Sequence, residues 1–153
     1  MNDAPGKGLL KVSGILLIIF GGITLLVGIL ALAGMMMPEV VAIVAQQTGV
    51  SATTVVVSAI VVVVLAAVNI VAGILGVKNA NKPEKAQVCF VMAVILLLIV
   101  IINAILSVVS GQFKIWTIVI EFVLPILYLV GALKNKEVAG DVVNVVSSDD
   151  NQA

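Results

Sequence analysis

The chain has 153 residues, 62% of them apolar and 10% charged, with eight lysines balanced by eight carboxylates and a mean hydropathy of +1.32. That composition places it in the membrane class and excludes a soluble globular domain. Without arginine or histidine and with a single cysteine, it also excludes His-based triads, His/Cys metal sites and an intrachain disulfide.

Residues 1–11 form a short N-terminal segment carrying Lys7 and Lys11, and the first apolar span follows at about residues 12–34. Alternation of period two is absent, so a membrane β-barrel is not expected and helices are the remaining way to satisfy the backbone in lipid. Gly14, Gly21 and Gly28 recur every seven residues, the spacing of a small-residue seam along which two helix backbones approach closely. Ala31-Leu32-Ala33 has the form of a signal-peptidase site. The apolar run before it is longer than the roughly 7 to 15 residues of a signal h-region, so the helix is expected to be retained.

The loop from Met35 to Ala52 is expected to hold a short amphipathic helix starting near Pro38, with Val40, Val41, Ile43 and Val44 against lipid headgroups. Its stretch "VAQQTGVSATTV" resembles the turn of the helix-turn-helix in sugar-responsive bacterial repressors. Nucleic-acid binding does not follow. The helix that would read bases continues as "VVVSAIVVVV", and the chain lacks the basic footprint such readers need. What remains is geometry: Gly49 as a left-handed residue closing one helix, Ser51 as the N-cap of the next.

The second span, about residues 53–77, repeats the seven-residue spacing with Ala59, Ala66 and Gly73. In an antiparallel hairpin Gly14 lies level with Gly73, Gly21 with Ala66 and Gly28 with Ala59. The two spans also align at an offset of 45 residues, "VSGI" on "VSAI" and "GIL" on "GIL". An inverted repeat would be a transporter trait, but the later spans do not extend the match, and shared packing is the favoured reading. Asn69 is expected to hydrogen-bond across helices.

A polar turn, "KNANKPEK", leads to the third span, about residues 86–109, where Cys89 is read as a packing residue rather than an acylation site. The fourth span, about residues 115–133, contains Glu121, which lies about 9 Å from Ile115 at 1.5 Å per residue. Across a hairpin of the third and fourth spans Asn103 falls level with Glu121, and Thr24 of the first span joins that layer. Read functionally, Glu121 binds a proton or cation with Asn103 and Thr24 as neighbours; read structurally, it clasps helices or snorkels towards Lys114. The structural reading is favoured because no second ionisable group marks a pathway. Pro125 is expected to kink this span, and Trp116 and Tyr128 suit the interfaces or the bundle interior. Residues 137–153, polar and acidic at the end, are read as a disordered tail.

"KNANKPEKAQVC", "VLPILYLVGALKNK", the Gly-rich first span and the "GVS" turn together resemble small four-helix membrane proteins of anaerobic Gram-positive bacteria, over about Leu10 to Lys136. The resemblance implies a four-helix topology and a bacterial plasma membrane, and brings no activity, cofactor or site residues with it.

The expected architecture is therefore all-α, a four-transmembrane-helix bundle over residues 12–136 with a short extracellular helix between helices 1 and 2. The expected function is a non-enzymatic structural, accessory or interaction subunit without cofactor or metal. It associates with the lipid bilayer and with other copies or a membrane protein partner. The alternative is a small oligomeric proton- or cation-coupled transporter using Glu121. Seven of the eight lysines fall on one side of such a bundle, with Lys114 alone on the other, which places both termini in the cytoplasm. In a Cys89→Ser background, a cysteine at position 151 should resist membrane-impermeant reagents in intact cells and react after lysis; labelling from outside would refute this topology.

Overall fold

The computed structural model describes residues 4–109 and 115–149. Every regular element among them is helical: α1 (Lys7–Met35), α2 (Pro38–Thr48), α3 (Ala52–Asn79), a 3-10 turn (Pro83–Lys85), α4 (Ala86–Val109) and α5 (Ile115–Asp149). Among the described residues three helical segments are long and apolar enough to cross a membrane: Lys7–Met35, Ala52–Asn79 and Pro83–Ile105. Their outward positions are large and aliphatic or aromatic, among them Phe20, Leu26, Leu30 and Ile102. Lipid is the solvent for such a surface.

The chain divides into two compact units, one of Met1–Leu17 with Ala72–Ala153 and the other of Ile18–Val71. In the first, many of the buried side chains are small, among them Ala72, Ala80, Ala86, Cys89, Ala93 and Ala132, beside the larger Leu10, Leu17, Leu96 and Tyr128. Small residues let helix backbones come close, which matters where lipid tails are as apolar as the side chains and no hydrophobic drive favours helix over lipid.

Both ends of this unit differ from what hydropathy suggests. The first helix starts at Lys7 rather than Val12, because the Lys7 N–H bonds the Ala4 carbonyl at 2.9 Å and the Leu10 N–H bonds that of Gly6 at 3.0 Å. At the other end, the expectation of disorder from residue 137 is corrected: α5 runs on to Asp149. Polarity alone does not stop a helix. Beyond Leu133 the segment contains no proline, and its single glycine, Gly140, costs only about 1 kcal/mol relative to alanine.

In the second unit, Pro38 opens the first turn of α2, where its missing N–H removes an unpaired donor. The helix closes on Gly49 at φ 70°, whose N–H bonds the Ala45 carbonyl at 2.9 Å. Ser51 Oγ then accepts from the Thr54 N–H at 3.2 Å and caps α3. Gly49 is the one positive-φ residue among those described.

A β-carbon in that conformation costs roughly 1 to 2 kcal/mol, less for asparagine. Gly49→Val should therefore raise amide exchange over residues 45–51 by about tenfold, and Gly49→Asn by clearly less. Equal exchange in both variants would contradict the strain argument.

Candidate functional site

Of the three polar residues expected in one layer, Glu121 is exposed on α5 and Asn103 is half-buried on α4. No hydrogen bond joins them. Thr24 belongs to the other unit, where it lines a cavity. Asn69 makes no cross-helix hydrogen bond among the described residues; its Cβ instead packs where Gly21 leaves space, 3.2 Å from where a methyl on that glycine would sit.

Glu121 shares a helix face with Pro125, Tyr128, Ala132 and Asn135, spaced alternately by four and three residues. Those four are buried, and the cover stops short of Glu121. The backbone adds a second acceptor at this point. Pro125 lies inside the helix without an amide hydrogen, so the Glu121 carbonyl loses the partner that the fourth residue on would supply. One turn of α5 thus offers an exposed carboxylate and a carbonyl released from the helix ladder. On the opposite side of α5, Val119, Val123, Ile126 and Val130 form an exposed aliphatic stripe.

Each unit holds a part of the glycine seam. In the first, a methyl on Gly14 would come within 2.8 Å of the Gly73 carbonyl oxygen. In the second, one on Gly21 would lie 3.2 Å from the Ala66 carbonyl oxygen and 2.9 Å from Ile70. Gly28 does not follow the same register: its nearest neighbours are Val63 at 2.7 Å and Val62 at 3.7 Å. Ala59 is buried, and it borders with Gly28 a cavity of about 380 Å³. A straight helix drifts about 20° per heptad, so a seven-residue repeat holds two helices in register only over a limited length. The cavity is lined mainly by aliphatic side chains such as Ile23, Val27, Val44 and Val62, with the hydroxyls of Thr24 and Ser58 and no ionisable group. Ser58 Oγ already donates to the Val55 carbonyl at 2.8 Å.

Sequence reasoning missed the polar clasp of the first unit. Asn135, fully buried, accepts from the Gly6 N–H at 2.7 Å through Oδ1 and donates to the Ala80 carbonyl at 2.9 Å through Nδ2. It thereby satisfies an N–H at the start of α1 and a carbonyl just past the end of α3, both groups that a helix terminus leaves unpaired. Two turns away, the Tyr128 hydroxyl donates to the Ala72 carbonyl at 2.8 Å, its ring resting against Gly76. Gly131 meets Gly6 and Leu10 backbone to backbone. Cys89 is fully buried, its thiol 3.8 Å from the Leu75 carbonyl, and so is closed to an acyl donor. The signal was present as the spacing of Tyr128, Gly131, Ala132 and Asn135 on one helix face, but Asn135 between two lysines reads as the start of a polar tail.

Together these features define, among the described residues, an all-helical protein with three segments long and apolar enough to cross a membrane and with polar side chains that tie helix ends together in its first unit. No family model, curated protein or solved structure matches the chain.

Removing the Asn135 carboxamide leaves a buried N–H and a buried carbonyl unpaired, each costing about 1 to 3 kcal/mol. Asn135→Ala should accordingly lower stability in detergent by about 2 to 4 kcal/mol. Ser13→Ala, which deletes a hydroxyl bonded only to carbonyls of its own helix, should cost less than about 1 kcal/mol. Thermal unfolding followed by circular dichroism compares the two, and equal midpoints would remove the clasp from the account.

Proposed function

We propose that this protein is a non-enzymatic four-helix subunit of the bacterial plasma membrane, with both termini cytoplasmic and α2 on the outer side. It acts through helix-mediated association, above all with other copies of itself, at the face of α5 that carries Glu121. The observation that supports this reading is the uncovered continuation of an otherwise buried face: Pro125, Tyr128, Ala132 and Asn135 are covered and Glu121 is not. A carboxylate left to hydrocarbon costs up to about 3 kcal/mol on the insertion scale, and a partner helix bringing a donor offsets that cost. The carbonyl freed by Pro125 gives such a donor a second acceptor. The resemblance to small four-helix membrane proteins lends support to the topology and the compartment.

The transporter reading uses the same carboxylate but needs a polar route to it. The cavity bordered by Gly28 and Ala59 contains no ionisable side chain, and Glu121 does not line it. The observation that favours association is the uncovered continuation of the α5 face at Glu121.

In bilayer nanodiscs the wild-type chain should have the mass of an oligomer, and Glu121→Leu should dissociate it at least about tenfold more readily, the equivalent of 1.4 kcal/mol. A monomeric wild type sinks the reading. Proton flux into liposomes that disappears in Glu121→Gln would favour the transporter instead.

A further inference from the structure

The Asn135 clasp gathers charge as well as helices. Lys7 adjoins Gly6, Lys78 and Lys82 lie two residues either side of Ala80, and Lys134 and Lys136 flank Asn135 itself. Lys85 closes the 3-10 turn that follows, its N–H bonded to the Lys82 carbonyl at 2.9 Å. Three separate stretches of sequence are thus pinned together with their lysines at one end of the first unit.

Lys78, Lys82, Lys85 and Lys134 are exposed, and none of the four has an ion pair or a side-chain hydrogen bond among the described residues. Lys136 is engaged otherwise, its Nζ 4.7 Å above the Phe90 ring. The described carboxylates of this end, Glu84 and Glu137, are exposed and pair with none of these lysines. Three of the four residues also adjoin the end of an apolar run. Lys78 ends the apolar run of α3, Lys85 precedes that of α4, and Lys134 follows that of α5, so they sit where apolar helix gives way to polar chain. In a bilayer the anion at that level is the lipid phosphodiester, and a lysine ammonium binds phosphate as a point charge without needing a fixed fork of donors.

We propose that Lys78, Lys82, Lys85 and Lys134 form a binding site for the headgroup of an anionic phospholipid. The clasp sets the site by holding the α3–α4 turn against α5. The lipid phosphate supplies a counter-charge that these four lysines do not find among the described residues, and the inference does not depend on any role of Glu121.

The test uses the full chain in micelles doped with equal phosphatidylglycerol and phosphatidylcholine, with lipid retention read by native mass spectrometry. Wild type should retain phosphatidylglycerol preferentially, and each Lys→Gln change among the four should weaken that preference by about fivefold. Lys→Arg at the same positions should keep the preference, which separates lost charge from lost folding. Lys114→Gln, the same charge change elsewhere in the chain, should leave it unaltered. Equal retention of the two lipids by wild type, or an undiminished preference in the Lys78, Lys82, Lys85 and Lys134 glutamine variant, overturns the proposal. Adding soluble glycerol phosphate distinguishes the source of the phosphate. Displacement of phosphatidylglycerol at low millimolar concentration would mean a site for free phosphate and overturn the lipid assignment, whereas persistence of the bound lipid supports it.

Discussion

In the first unit a single carboxamide on α5 ties the start of α1 to the chain just past α3. Asn135 has one acceptor and one donor end, and the structure uses both, the first on the start of α1 and the second on the carbonyl that follows α3. No other uncharged side chain of its length could serve both termini. The arrangement matters because lipid removes the force that usually closes a core, leaving van der Waals fit and hydrogen bonds to hold helices together. Close approach supplies the fit: Gly131 against Gly6 and Gly76 against Tyr128 bring the backbones near enough for the polar ends to meet. Among the described residues no buried side-chain nitrogen or oxygen is left without a partner.

The Asn135 clasp was not legible in the sequence, whereas the helices and the α2–α3 turn were, because there one kind of signal decided the outcome. Apolar runs gave the long helices, since in a bilayer the backbone has few other choices. Gly49 and Ser51 marked the α2–α3 turn because left-handed geometry and capping are local properties of those residue types. Close approach at Gly14 and Gly21 could be read from spacing, whereas the departure at Gly28 could not, because it depends on how far two helices stay in register and on the β-branched Val62 and Val63 beside it. The ends of α1 and α5 were misjudged for a related reason: hydropathy reports where lipid is, and a helix extends as far as its hydrogen bonds allow.

The candidate site shows the same limit. Glu121 stood out as a carboxylate in an apolar run, but the sequence grouped it with Asn103 by counting residues along a hairpin, and level position does not guarantee contact. What the structure adds is the company Glu121 keeps along its own helix, a face covered from Asn135 up to Pro125 and open beyond. Proline and glutamate spaced four apart also act on one group, since the ring that removes a donor does so from the carbonyl of the glutamate.

The cavity bordered by Gly28 and Ala59 gives the second unit a surface relief of its own. It opens outward, with Ile23, Val27 and Val62 exposed along it, so it is a groove and not a sealed void. In a bilayer a flexible acyl chain fits such a recess, and the contacts that the diverging helices give up to one another there are made with lipid instead.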